Sequence, residues 1–172
     1  MQAIHFNRKP RLNSNYSIEG FYNNVRAELK NKINIKCVEC PFASNGIFRR
    51  LYNMVYAAIN QKDVNHITGD VNYLNLFFRK NKNIITILDC GLLARLNGLK
   101  FVLAKLFWYK IPISRAKYVV AISQATKNEI LRYVKCDPDK IKVIYVSVSP
   151  IFKRHDKDFN KQKPVILHVG ST

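Results

Sequence analysis

The sequence predicts an α/β protein built on a doubly wound parallel sheet. Short β-branched runs alternate with stretches of helical period, a strand–helix order that recurs about five times. The clearest unit, residues 118–146, reads strand, capped helix, turn, strand, and such units build parallel sheets. Of the 172 residues, 48% are hydrophobic and 12% aromatic, enough to fill a core and too many for a disordered chain. The length suits one domain with room for an appendage.

The elements follow in order. Residues 3–7 read as a brief strand and 8–16 as a polar loop, with Pro10 and Asn13-Ser14-Asn15. Ser17 can cap the next helix, whose stripe of Ile18, Phe21, Tyr22, Val25 and Leu29 packs on a sheet. The loop after the first strand of an open α/β sheet lies where ligands bind. It holds no glycine before Gly20. Asn13 and Asn15 tolerate left-handed geometry, so a tight turn and a plain surface loop both stay open; Asn15 and Tyr16 are its cleft candidates. Residues 33–39 form the second strand, ended by Pro41. Residues 46–61 form an amphipathic helix. Ile47, Phe48, Leu51, Met54, Val55, Ala58 and Ile59 are its expected buried stripe, and Arg49, Asn53, Tyr56 and Asn60 its exposed face.

The third strand, 64–68, contains His66, read as a satisfied sheet histidine in preference to a catalytic one. Thr68-Gly69-Asp70 follows at its carboxyl end, with Asp70 placed to cap a helix over 71–79. Thr68 and Asp70 are site candidates because strand ends face the cleft; their competing role is capping. Residues 84–88 form the fourth strand, followed by Asp89-Cys90-Gly91. Asp89, at the carboxyl end of that strand, is a site candidate or a cap for the loop after it. Residues 92–111 read as a helix apolar nearly all round, and such a helix is buried or touches another domain or lipid; burial with a partly exposed aromatic edge is favoured. Lys100, Lys105 and Lys110 are five apart, so on an α-helix each turns about 140° from the last and they make no single basic face. Residues 118–122 form the fifth strand. Ser123 sits where an N-cap is wanted, and 124–135 is helical with Ile130, Leu131 and Val134 on one face. A turn at Asp137-Pro138-Asp139 leads to a strand over 141–146.

The net charge of +18 implies an anionic partner (nucleic acid, a membrane surface or a phosphorylated substrate) or else a plain solvated surface, since the lysines are spread along the chain. No signal-peptide pattern follows Met1, and no run reaches the roughly 18–20 apolar residues of a spanning helix. A cytoplasmic protein, at most peripheral to a membrane, is expected. Four cysteines fit a reducing compartment. Cys37 and Cys40 are a lone C-x-x-C, read as buried thiols: residues three apart on a strand point to opposite faces, and no second pair completes a zinc site. No metal is expected.

The stretch AISQATKNEILRYVKCDPDKIKVIY, then Pro150 and Phe152, then ILHVGS, resembles the middle of GT-B glycosyltransferases of the large retaining family 4. The resemblance covers nearly the whole chain, strongly from Ile84 and weakly before it. It implies a Rossmann-like N-terminal, acceptor-side domain over 1–152, a linker over 153–163, and over 164–172 the first strand of a C-terminal donor-binding domain. It further implies transfer of a sugar, with retention, from a nucleotide-sugar donor to a glycan or lipid-linked acceptor, without a metal or other cofactor. Gly170 is then expected to face the donor, and Asn15, Tyr16, Thr68, Asp70, Asp89 and Ser123 the acceptor and cleft. Two departures stand out. The family often has His-Asp where this chain has Leu88-Asp89, and its linker usually has Asn-Gly before Val and Asp before Pro, where this chain has Val146-Ser147 and Ser149. The family's paired glutamates and phosphate-gripping cations belong to the C-terminal domain, so the chain alone is expected to be inactive.

No Walker loop, dinucleotide glycine fingerprint or Ser-His-Asp pattern is present. The alternatives are a basic, non-enzymatic α/β domain that binds nucleic acid or another anionic partner, and a subunit that completes its cleft with a separate chain. Against nucleic acid, Lys and Arg are not clustered with aromatics on one readable element.

Overall fold

The computed structural model describes residues 1–10, 17–147, 153–154, 156 and 161–165. Six strands form one sheet among them: β1 (Gln2–Asn7), β2 (Asn34–Glu39), β3 (Val64–Ile67), β4 (Asn83–Ile87), β5 (Tyr118–Ala121) and β6 (Ile141–Val143). Every pairing is parallel, and the order is β2-β1-β3-β4-β5-β6. This is the doubly wound, Rossmann-like arrangement. The chain steps from β1 to β2 on one side, then returns past β1 to build the rest on the other.

Register explains the core. Phe6, Ile67, Ile85, Val119 and Ile141 are successive partners across five strands, and none is more than 1% exposed. Sheets buried on such a face read as β-branched runs, as these strands do. The adjacent row, on the opposite face, is His5, His66, Ile84 and Tyr118. It is polar at one end, and Tyr118 is 41% exposed at the other.

The helices are α1 (Ser17–Leu29), α2 (Ile47–Ile59), α3 (Gly91–Ala94), α4 (Gly98–Ala104), α5 (Ile111–Arg115) and α6 (Gln124–Tyr133). The π-helical segment Lys105–Lys110 continues α4 into α5, and 3-10 turns occupy Asn72–Leu76 and Pro138–Lys140. Right-handed crossovers put α1 on one face of the sheet and the later helices on the other. Tyr22 of α1 reaches Thr86 on the histidine side. Phe78, after the 3-10 turn, packs on Phe6 of the apolar side with ring centroids 4.9 Å apart.

Several expectations change. The burial of α2 is inverted: Asn53 and Ala57 face the core at 0% and 1% exposure, while Phe48 is 87%, Ile47 77% and Ile59 76% exposed. Small Ala57 lets the helix approach closely. The amide of Asn53 accepts from the Phe42 N–H at 3.1 Å and donates to the Phe42 carbonyl at 2.8 Å and the Tyr73 hydroxyl at 3.2 Å. Periodicity locates an apolar face, not what covers it.

The helix expected over 71–79 is only the 3-10 turn Asn72–Leu76, with Val71 at its start and no side-chain cap; Asp70 therefore does not cap it. The single helix expected over 92–111 breaks at Asn97-Gly98, where Gly98 takes φ 57°, a conformation that costs any other residue. Its second half is less covered than expected, with Leu99, Val102, Leu103 and Phe107 exposed. Across Lys105–Lys110 the i→i+5 winding turns less per residue, so the α-helical separation of Lys105 and Lys110 does not apply. The last strand ends at Val143, leaving Ile144, Tyr145 and Val146 exposed. Cys40 is buried as expected, but Cys37, on edge strand β2, is exposed.

Candidate functional site

β1 and β3 are neighbours whose connections leave in opposite directions, so the crevice of the sheet opens at their carboxyl ends. Asn7 closes β1 and Thr68 follows β3, both buried. The Thr68 hydroxyl donates to the Phe6 carbonyl at 3.2 Å and to the Asn7 side-chain oxygen. Thr68 thus pins the two strand ends together. Next to Asn7, Arg8 Nε donates to Glu19 Oε1 of α1 at 2.8 Å. The same guanidinium approaches Asp70 Oδ2 at 3.5 Å. Arg8 therefore ties the start of α1 to the loop after β3, and this ion pair is what Asp70 does where a cap was expected. The second carboxylate oxygen of Glu19 is buried without a hydrogen-bond partner. Half of the Asp70 side chain stays exposed and faces solvent at the crevice.

A second group gathers at the ends of β4 and β5. Asp89 is exposed, and its Oδ1 accepts from the Gly91 N–H at 2.8 Å, shaping the turn into α3. Ser123 caps α6 as expected: its Oγ accepts from the Thr126 N–H at 3.0 Å. Thr126 Oγ1 in turn donates to the Leu88 carbonyl at 3.1 Å, tying α6 to the end of β4. Leu88 itself is half-buried; its side chain offers no hydrogen bond.

Two residues missed in the sequence join this group. Glu129 Oε2, on the second turn of α6, accepts from the Cys90 N–H at 3.3 Å. The Tyr109 hydroxyl, carried by the π-helical segment, donates to the Asp89 carbonyl at 3.3 Å. Burial, then the charges of Cys90, Asp89, Glu129 and Asp70, push the Tyr109 phenol well above its ordinary range. It is a neutral hydroxyl at any working pH. Burial, with Glu129 and Asp89 beside it, lifts the Cys90 thiol to about 12, so it is no nucleophile. The spacing of Glu129 in sequence carried no pattern, and Tyr109 looked like one more aromatic in an apolar run.

Asp70 and Asp89, after β3 and β4, and Glu129, on α6, therefore lie around a neutral phenol, on a chain of net charge +18. Carboxylates in such a setting accept hydrogen bonds from hydroxyl-rich molecules. Among the described residues, no group of three or more His, Cys, Asp or Glu is arranged to hold a metal ion. His66 makes a bond inside the sheet, Nε2 to the Thr86 hydroxyl at 2.8 Å, and lies away from this crest. Asn15, Tyr16 and Gly170, together with the markers Pro150 and Phe152, most of the last strand and the side chain of Ser17 on which its capping role rests, lie outside what the structure describes.

No protein-family model and no curated protein matches the chain.

Proposed function

We propose that this chain is the acceptor-side domain of a GT-B, retaining family 4 type of glycosyltransferase. It would bind the glycan or lipid-linked acceptor, while a second domain, beginning near residue 164, binds the nucleotide-sugar donor. The observation that supports this reading best is the carboxylate crest at the ends of β3 and β4. Asp70 and Asp89 stand at the edge of the sheet where ligands of open α/β folds bind, with Glu129 of α6 bonded to the neighbouring Cys90 N–H. In this reading Asp89 accepts a hydrogen bond from an acceptor hydroxyl, and the Tyr109 and Gly91 contacts hold the Asp89 loop in place. Ser123 and Thr126 set the height of the neighbouring loop. No step requires a metal.

Transfer also needs the leaving diphosphate stabilised, usually the largest electrostatic contribution to catalysis. The described strand ends carry carboxylates and one paired arginine, a poor setting for a diphosphate. The 172-residue chain should therefore bind uridine- and guanosine-diphosphate sugars no better than roughly millimolar, about 4 kcal/mol. Calorimetry tests this, and micromolar donor binding by the chain alone would overturn it. In a longer form carrying a donor domain, Asp89→Ala should lower turnover with the acceptor and leave donor affinity unchanged.

A further inference from the structure

The inverted burial of α2 leaves an apolar groove of about 870 Å³ between α2 and the α4–π-helix segment. Leu51 and Met54 of α2 line it on one side, Leu103, Phe107 and Trp108 on the other, and Leu92 of α3 also belongs to the lining. Ile47 lines the groove, and among the described residues the same two elements leave Phe48 on α2 and Leu99 and Val102 on α4 uncovered. Contiguous exposed apolar surface of this kind marks an interaction site. Two rigid helices contribute to it, and the Arg50 guanidinium, 4.7 Å from the Trp108 ring centroid, braces the floor.

Charge identifies the occupant. None of the 11 acidic residues falls between positions 40 and 62 or between 90 and 128, the spans that carry α2 and α3 to α5; the 3-10 segment adds Tyr73, Leu76 and Phe77 to the lining. The same spans carry Arg49, Arg50, Arg95, Lys100, Lys105 and Lys110. An apolar ridge set among cations, with carboxylates only beyond its Leu92 end, suits the headgroup region of a bilayer with anionic lipid, where apolar side chains enter and lysines remain at the phosphates. Nucleic acid would leave Phe48 and Leu99 against a charged backbone. Among the described residues no helix is long and apolar enough to cross a membrane, so the contact is with the surface. We propose that the α2–α4 face docks the protein on anionic lipid bilayers. Phe48, Ile47 and Leu99 insert, and the basic side chains of the same spans meet the lipid phosphates. This goes beyond the sugar-transfer reading and needs none of it, so vesicle binding and donor binding succeed or fail separately.

The experiment is flotation of the full chain with phosphatidylglycerol-containing and pure phosphatidylcholine vesicles, read together with emission of Trp108, the single tryptophan. Expected are binding to the anionic vesicles at low salt, at least tenfold weaker binding to the neutral ones, and quenching of Trp108 by brominated lipid. Phe48→Asp with Leu99→Asp should reduce anionic binding at least tenfold. Both positions are exposed, so the fold stands, as an unchanged thermal melt would verify. A charge-matched variant at the opposite end of the protein, Lys30→Gln with Lys32→Gln, should retain binding. Equal loss in both variants would mean diffuse attraction and overturn the proposal. So would absence of binding to either vesicle, or a dimer by light scattering that Phe48→Asp dissolves without any vesicle binding.

Discussion

The Tyr22 hydroxyl lies 2.6 Å from the Thr86 hydroxyl, joining α1 to the middle of the sheet. His66 Nε2 reaches the same Thr86 oxygen at 2.8 Å, so one hydroxyl serves two buried groups. A chain running from the Tyr22 O–H to the Thr86 O–H to His66 satisfies all three with the imidazole neutral. Thr86→Val keeps the shape and leaves Tyr22 and His66 without this partner. Unmade buried bonds cost about 1–3 kcal/mol, so urea unfolding should show a loss of about 2 kcal/mol. Adding Tyr22→Phe should recover part of that loss; a further full loss would count against the shared bond.

The same cluster makes stability depend on pH. Burial first and the Arg26 charge second lower His5 to about 4. Burial, then His5, lowers His66 to about 3. Arg26 can only donate, so its contact with His5 Nδ1 at 3.3 Å also requires the neutral ring. The unfolded chain takes up protons near 6.5 while the folded chain does not, so stability is complete above pH 6.5 and falls as pH drops toward 4 and then 3. Urea midpoints should decline from pH 7 to pH 5, and His66→Gln should flatten the decline. A midpoint indifferent to pH over this window would refute the neutral cluster.

Asn53 is the polar anchor of α2. Asn53→Ala removes bonds to both backbone groups of Phe42 and to the Tyr73 hydroxyl. The expected cost is roughly 2–3 kcal/mol by thermal or urea unfolding. Ile59→Gln, on the exposed stripe of the same helix, should change stability by less than about 0.5 kcal/mol. The opposite ranking would restore the amphipathic reading of this helix.

Two glycines should respond in opposite senses to alanine. Gly98 holds φ 57° at the break before α4, so Gly98→Ala should destabilise by about 1 kcal/mol. Gly20 lies inside α1, and a Cβ there would meet nothing within 4 Å. Gly20→Ala should stabilise by about 0.5–1 kcal/mol. Differential scanning calorimetry of the two variants reads both signs.

What was legible in the sequence was local and repeated. β-Branched runs such as residues 84–87 and the Ser123 cap announced the strands, the last complete helix and the parallel sheet. Strand-end logic also pointed to Thr68, Asp70 and Asp89 before their neighbours were known. The facing of α2 was not legible, because its apolar stripe is real and yet turned outward. The reason is Asn53, a polar residue whose bonds to Phe42 and Tyr73 come from distant positions. The ion pair of Asp70 with Arg8 was not legible, because a carboxylate that caps and one that pairs look alike until β1 and β3 are adjacent. Glu129 and Tyr109 enter the site only through packing across α6 and the π-helical segment, and no spacing rule encodes that.

β1 sits between β2 and β3, and its Ile4 is matched to Asn65. β1 thus cannot gain its inner neighbour until some sixty further residues have been made. Until then its apolar edge, with Ile4 and Phe6, is open to pairing with other chains. Assembly of this protein should be slow and governed by chain closure. During synthesis, early holdase binding to the segment carrying Phe6 should end once β3 has emerged.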